Sequence, residues 1–182
     1  MPKRVDVRER RTLIADALMR VAAAQGLEAV SVRHVAAAAG VSVGMVQHYF
    51  RTRDEMMVFA LDVVRDRNQA RVTAALSALG PDPQPRAMLR TLLVTVLPLD
   101  EQSRADGLVA LAFLAYTAVR PAGVKSDDTA QMLGFIASLL PDPDAAVGVL
   151  ALMEGLGMYV LGGQYTAEQA LKALDAQLDL LF

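Results

Sequence analysis

The segment that most constrains the fold of this chain is residues 31–55, SVRHVAAAAGVSVGMVQHYFRTRDE. Ser31 and Ser42 each carry a hydroxyl suited to capping a helix, and each follows a valine placed to pack on the first helical turn. Gly40, between them, readily adopts the left-handed conformation that ends a helix. The pattern predicts helices over residues 32–39 and 43–50 joined by a tight turn, which is the layout of a DNA-binding helix-turn-helix.

A third helix start follows directly after this pair. Thr52 is a capping residue, and Glu55, three positions later, completes a capping box, so a long helix is predicted over residues 52–79. On the other side of the pair, residues 7–25 carry apolar residues at helical spacing and end at Gly26. They predict a first helix that packs over the two short ones.

The rest of the chain is divided by prolines into further helical segments. GPDPQP at 80–85 and PDPD at 141–144 break the pattern, and no stretch alternates apolar and polar residues with a period of two. We therefore predict an all-α chain of nine helices, with a helix-turn-helix domain at 1–52 and a second helical domain at 53–182. The remaining predicted helices cover 86–97, 100–120, 126–140, 145–163 and 166–181.

Composition supports a folded protein without metal or disulfide chemistry. Hydrophobic residues make up 54% of the chain, charged residues 21%, and cysteine is absent. The absence of cysteine excludes disulfides and fits a reducing cytoplasm, and no secretory signal follows Met1, so we expect a cytoplasmic protein. His34 and His48 have no companion at metal-ligand spacing, so neither a metal site nor a cofactor is expected.

Charge is distributed unevenly along the chain. Residues 1–55 hold nine Lys/Arg against six Asp/Glu, whereas residues 56–182 hold nine against fourteen. The basic end is therefore the end that carries the predicted helix-turn-helix, as a DNA-binding protein requires. Basic residues at the start of the chain either contact DNA phosphates or form a solvated terminus. They are Lys3, Arg4, Arg8, Arg10 and Arg11.

The segment 145–163 is apolar apart from one charge, Glu154. Its length approaches that of a membrane span, but a helix that is apolar all round is also typical of a buried core helix, which is the interpretation we favour. A carboxylate in such a helix has to be paired or hydrogen-bonded. Glu154 therefore either attracts a cationic ligand or meets a partner across a dimer interface.

The sequence of residues 31–56 also resembles that of a known protein family. SVRHVAAAAG at 31–40 and VSVGMVQHYFRTRDEM at 41–56 resemble the DNA-binding domain of the tetracycline-repressor (TetR) family. GMVQHYF, together with LPLDEQSRADGLVALAF at 97–113, resembles the branch around the choline-responsive repressors. The resemblance implies a ligand-responsive transcriptional repressor that binds a roughly palindromic operator as a homodimer and is released by a small molecule.

The resemblance also implies roles for individual residues of the helix-turn-helix. The second helix of the pair would lie in the major groove, with Val46 and Phe50 in the core. Many family members carry Lys where Val43 stands and Tyr where Gln47 stands, so the operator is expected to differ from the commoner ones. The implied base-facing residues are Val43, Met45 and Gln47, with Gly44 allowing close approach. The implied phosphate-contacting residues are Ser42, His48, Tyr49, Arg51 and Arg53, and Arg33 contacts a phosphate or a base.

The second domain is implied to bind the inducer and to form the dimer. Helices 145–163 and 166–181 are expected to pair with their copies in a second subunit. For each candidate ligand-binding residue, a plain role in the core is the alternative. These candidates are Phe59, Met88, Leu92, Phe113, Tyr116, Phe135, Met153 and Glu154.

Two other functions remain open from the sequence. A ligand-independent DNA-binding dimer is one, because the region 121–144 is short for the family. A helical enzyme using His48 or His34 is the other, but the chain shows no set of nucleophile, base and orienting group. We therefore expect a DNA-binding regulator and not an enzyme.

Overall fold

A computed structural model of the chain describes residues 7–118 and 127–182, without the side chains of 27, 113, 116–118, 127 and 128. Over these residues the chain forms nine α-helices and no strand, which confirms the predicted all-α class. Short 3-10 turns at Leu27–Ala29 and Pro143–Ala145 were not predicted. The helices are α1 (Val7–Gln25), α2 (Val32–Ala39), α3 (Val43–Tyr49), α4 (Arg53–Ser77), α5 (Pro85–Val96), α6 (Glu101–Ala118), α7 (Asp127–Leu139), α8 (Ala146–Leu161) and α9 (Ala167–Leu181).

The observed helix bounds lie close to the predicted ones for a physical reason. Helix starts are set by caps, and the cap itself stands outside the helix, so α4 begins at Arg53 after Thr52. Thr166 in the same way caps α9 in a complete capping box with Gln169. Residues 119, 120 and 126 of the predicted helices lie outside the described residues.

The chain divides into two compact units. The first consists of residues 1–67 and 104–120, and the second of residues 68–103 and 121–182. The boundaries fall inside α4 and α6. The predicted division at residues 52 and 53 concerns function, which packing alone does not test, and it stays a prediction.

The core of the first unit joins α1, α2 and α3 with parts of α4 and α6. Its most buried side chains come from all five helices and expose only a few per cent of their surface at most. Burying a side chain of this size contributes roughly 1.5–3 kcal/mol. They include Ile14, Leu18, Val35, Val46, Met56 and Val109.

A charged cluster also ties α1, α4 and α6 together within the first unit. The Nη2 atom of Arg67 lies 2.5 Å from Oδ1 of Asp16, and its Nη1 atom lies 3.7 Å from Oδ1 of Asp106. Asp106 is only 1% exposed. A carboxylate buried to this degree requires a charged or hydrogen-bonding partner, and Arg67 provides one.

The second unit is built on α5, α7, α8 and α9, whose core includes Leu89, Ile136 and Leu174. Arg90 on α5 donates two hydrogen bonds to Asp175 on α9, at 2.6 and 3.0 Å. These hydrogen bonds hold the pKa of the Asp175 carboxyl below its usual range and raise the pKa of Arg90. α5 and α9 are therefore held together by charge as well as by apolar packing.

Helix α8 is buried on one face only. We expected a helix that is buried all round, and this expectation is met by one of its two faces. Ala146, Val149, Met153 and Leu156 face the core of the second unit. Val147 is 66% exposed, and Met158 and Tyr159 are exposed by 45% and 42%. Glu154 is also exposed, so it needs no partner within its own chain.

The apolar character of this region also meets a simple test for membrane spans. Pro143–Leu161 is long and apolar enough to cross a bilayer, and the mean hydropathy of its most apolar stretch is 1.5. A core helix of a soluble protein passes the same test, so this is weak evidence for a span.

Candidate nucleic-acid interface

The first helix of the predicted pair begins and ends as its sequence indicates. The Ser31 hydroxyl accepts a hydrogen bond from the His34 amide at 3.2 Å. The side chain of His34 makes a second hydrogen bond, in which its Nδ1 atom lies 2.7 Å from the carbonyl oxygen of Ala29. Gly40 ends the helix with φ of 67°, in the left-handed region that glycine occupies without strain. These contacts fix the direction in which the chain enters α3.

Helix α3 is capped at both ends. The Ser42 hydroxyl accepts a hydrogen bond from the Met45 amide at 3.1 Å. At the other end Phe50 turns to an extended conformation, and its amide donates to the Val46 carbonyl at 2.9 Å. The helix has only seven residues, so it depends on these caps and on packing for its stability.

The two faces of α3 differ sharply in exposure. Val46 is 0% exposed and Phe50 at its end is 1% exposed, which confirms their predicted place in the core. On the outward face Val43 and Met45 are exposed by 40% and 39%, although both are apolar. The polar and small members of that face are exposed as well, namely Ser42, Gly44, Gln47 and His48.

The side chains predicted to contact phosphates lie around this outward face. Arg33 on α2 and Arg51 and Arg53 after α3 are exposed. Tyr49 is half-buried and lies edge-on to the ring of His48, with 5.1 Å between the ring centroids. The ring of Tyr49 also packs against the core of the first unit, which limits the positions its hydroxyl can take.

The junction between α3 and α4 is held by Glu55. The amide of Glu55 donates to the Thr52 hydroxyl at 3.0 Å, which is one half of the predicted capping box. The other half departs from the prediction, because the Glu55 carboxylate bonds to the Arg51 amide in place of the Thr52 amide. The Glu55 carboxylate accepts a hydrogen bond from the Arg51 amide at 2.9 Å. The carboxylate thus reaches one residue before the cap and fixes the backbone at the end of α3.

The environment of the Arg11 side chain differs from the one that its sequence context predicts. It was expected to contact phosphates or to belong to a solvated terminus, yet its side chain is 29% exposed and is turned inward. Its guanidinium carbon lies 4.6 Å from the ring centroid of Phe50 and 4.3 Å from that of Phe59. The expectation of a solvated side chain is therefore wrong for Arg11, because the two rings and the carboxylate of Glu55 bind it within the unit.

Other basic residues near the start of the chain also have internal contacts. Arg8 lies 2.6 Å from Asp66 on α4, while Lys3 and Arg4 lie outside the described residues. Arg20 on α1 donates to the carbonyl of Ala38 at 2.8 Å, which supports the C-terminal end of α2. Sequence reasoning missed Arg20, although arginine is a residue type that bonds to the last carbonyls of a helix.

The candidate ligand-binding residues fall into both units. Phe59 lies in the first unit, 5.6 Å from Phe50 between ring centroids. In the second unit Leu92 and Met153 are buried in the core, Met88 is half-buried, and Phe135 and Glu154 are exposed. The side chains of Phe113 and Tyr116 lie outside the described ones. A ligand-binding role for these residues stays a prediction.

The charged and histidine side chains do not assemble a metal site in the part of the chain that the structure describes. No group of three or more His, Cys, Asp or Glu residues comes together there.

Comparison with known proteins bears directly on the helix-turn-helix. Residues 14–58 match the family model described as bacterial regulatory proteins, tetR family. The transcriptional regulator BetI of Burkholderia thailandensis is 30% identical over all of this chain and 97% of its own length. The chain belongs to the tetR family.

Further relatives agree with this membership. The tetR-family chain is 35% identical to the transcriptional regulator PksA of Bacillus subtilis, but that match spans only 55% of PksA. A transcriptional regulator from Rhodococcus sp. Rha1 has a similar structure, with a TM-score of 0.82, 34% identity and coverage of 94% of this chain and 95% of its own. These relatives are transcriptional regulators and not enzymes, so the enzyme interpretation is rejected.

Two structurally similar proteins have been solved with small molecules. The multidrug binding protein EbrR has been solved with imidazole and with ethidium, and it matches with a TM-score of 0.67, 31% identity and coverage of 93% of this chain. A regulator from Saccharomonospora viridis in complex with choline shares the fold, with a TM-score of 0.79 at 20% identity.

We predict that the turn glycine and the helix glycine of this tetR-family chain respond in opposite ways to alanine. Gly40→Ala should lower the free energy of unfolding by about 1 kcal/mol, because alanine is strained at its positive φ. Gly44→Ala should leave stability unchanged or raise it slightly, because an added Cβ meets only the Ser42 hydroxyl at 3.9 Å. Urea unfolding measures both effects, and equal losses in the two variants would contradict the assignment.

Proposed function

We propose that this chain is a ligand-responsive transcriptional repressor that binds a roughly palindromic operator as a dimer and leaves it when a small molecule binds. The outward face of α3 is the observation that carries the proposal. It exposes Val43 and Met45, two apolar side chains, next to the amide of Gln47. Val46 and Phe50 are buried in the core of the first unit, which anchors the helix that carries these side chains.

The chemistry of that face suits the major groove. Val43 and Met45 offer apolar surface for thymine methyl groups, and the amide of Gln47 matches the acceptor and donor edge of adenine. Gly44, which has open space on its outward side apart from Ser42, allows the backbone to approach the bases closely. The face therefore favours operator half-sites that contain A·T pairs.

We assign the contacts that position the protein on the DNA duplex to the residues that flank this face. Arg51 and Arg53 supply positive charge after α3, Arg33 supplies it on α2, and His48 and Tyr49 offer polar groups at the C-terminal end of α3. Such contacts to phosphates set the register of the protein and carry no sequence information themselves.

The DNA assignment is tested with an operator obtained by selection from a random pool. The double variant Gln47→Ala/Tyr49→Ala should bind that operator at least about tenfold more weakly, because it loses a base contact and a phosphate contact. Gln69→Ala removes an exposed amide of α4 that donates to Thr73 and should bind like the wild type. Fluorescence anisotropy measures the affinities. Unchanged operator affinity in the double variant would contradict the assignment of Gln47 and Tyr49 as DNA contacts.

Dimerisation is assigned to the free faces of α8 and α9. Val147 and Met158 expose apolar surface on α8, and Leu180 and Phe182 are exposed by 82% and 46% at the end of the chain. An apolar face of this kind on a soluble protein is typical of an interface. A two-fold dimer through these helices would place two recognition helices about 34 Å apart, one turn of DNA.

Two exposed valines provide a matched test of this interface. Val147→Asp should convert the dimer to a monomer, because it buries an unpaired carboxylate between two copies of α8. Val7→Asp introduces the same charge at a valine of comparable exposure, 59% against 66%, and should remain dimeric. Sedimentation velocity measures the oligomeric state. A dimeric Val147→Asp protein would remove α8 from the interface.

The inducer is proposed to be a small organic cation with apolar surface. EbrR, at 31% identity, has been solved with ethidium, and in the second unit here Met88 is half-buried and Glu154 carries an exposed carboxylate. Methionine adapts to ligands of different shape, and a carboxylate attracts positive charge.

Ethidium and choline serve as the two probes for this ligand class. Ethidium added to the free protein should raise its melting temperature, because a ligand that binds only the folded state stabilises it. Choline, which does not intercalate into DNA, is titrated against the protein–operator complex and should weaken it. If neither probe changes melting temperature or operator affinity, the ligand-independent dimer becomes the better description.

A further inference from the structure

We propose that Arg11 on α1 is a positioning residue for operator binding, which sets the orientation of α3 without contacting DNA. The proposal rests on the proposed DNA interface and adds to it a residue outside the helix-turn-helix. It follows from three contacts that converge on one guanidinium group. Each contact joins α1 to a different part of the junction between α3 and α4.

The first two contacts are with aromatic rings. The guanidinium carbon of Arg11 lies 4.6 Å from the centroid of Phe50 and 4.3 Å from that of Phe59. The two rings are 5.6 Å apart and inclined by 55°, so the cation lies in the cleft that they form. Phe50 is the residue that ends α3, and Phe59 belongs to α4. Cations over ring faces are attracted by the ring quadrupole, and arginine is the commonest such cation.

The third contact is with Glu55. The Nη2 atom of Arg11 lies 3.4 Å from Oε1 of Glu55. The second carboxylate oxygen, Oε2, accepts the hydrogen bond from the Arg51 amide at 2.9 Å. Through this one carboxylate Arg11 acts on the backbone of Arg51, which is a proposed phosphate contact. Phe50 and Arg51, the two residues after α3, are therefore both placed by Arg11.

The gain in stability from Arg11 is partly offset by one buried donor. The Nε atom of Arg11 is buried and has no hydrogen-bond partner among the described residues. A buried donor without a partner costs free energy, which offsets part of the gain from the rings and the carboxylate. Methionine would keep the apolar contact with both rings and would bury no donor. Replacing Arg11 by methionine should therefore affect the geometry of the junction more than the stability of the fold.

The test compares Arg11→Met with two other variants in binding to the selected operator at several salt concentrations. Arg11→Met should bind roughly tenfold more weakly at every salt concentration, with the wild-type salt dependence, because Arg11 itself contacts no phosphate and Arg51 keeps its charge at the interface. Arg51→Met, matched in residue type and substitution, should also bind more weakly, and its salt slope should fall by about one. Asp16→Asn removes a different α1–α4 ion pair and should bind like the wild type once folded.

A second measurement follows the junction in the absence of DNA. Hydrogen exchange of the Arg51 amide, observed by NMR, should be faster in Arg11→Met than in the wild type and in Asp16→Asn, because Glu55 is no longer held in place. Unfolding in urea checks that the variants are folded. This readout does not depend on the proposed function.

Three results would overturn the inference. They are operator affinity of Arg11→Met equal to that of the wild type, a salt slope reduced as in Arg51→Met, and unchanged exchange of the Arg51 amide. A wild-type protein that binds no selected DNA would instead overturn the proposed function, and the exchange measurement would still decide the role of Arg11.

Discussion

The burial of Val46 and Phe50 is the interaction on which the rest of the DNA-binding unit depends. A seven-residue helix is too short to be stable alone in water, so α3 exists because these two side chains are held in the core. The same burial leaves Val43, Met45 and Gln47 exposed around the rest of the helix. The angle at which α3 packs on that core is fixed by the caps at Ser31 and Ser42 and by the turn at Gly40.

The arginines of the first unit show how position decides the role of one residue type. Arg33, Arg51 and Arg53 are exposed around α3, where positive charge suits the proposed contact with phosphates. Arg11 and Arg67, in contrast, face inward. Arg11 joins α1 to α4 through Glu55, and Arg67 joins α4 to α1 and α6 through Asp16 and Asp106. A planar guanidinium with several donors suits such junctions, because it can meet a ring face and a carboxylate at the same time. The basic charge of residues 1–55 is thus divided between holding the fold and the proposed contact with DNA.

Much of the fold follows from local sequence signals. Caps, prolines and helical spacing predicted the helices and their bounds, because helix ends are determined by nearby residues such as Ser42, Thr52 and Thr166. The inward direction of Arg11 was not predictable in this way, since a long side chain follows whatever partners the tertiary structure offers. For α8, composition shows that all faces are apolar but not that only one is covered by its own chain. The proposed ligand site is the least determined from sequence, because the candidate residues, from Phe59 to Glu154, are spread over both units.

We propose that Val43 and Met45 on α3 read thymine methyl groups of the operator. Replacing each thymine of the selected operator by uracil removes one methyl group at a time and leaves the hydrogen-bonding edges intact. We expect at least one thymine in each half-site whose replacement weakens binding by the wild type but not by the variant Val43→Ala/Met45→Ala. The claim would be contradicted if no replacement mattered, or if the same replacements weakened the wild type and the variant equally.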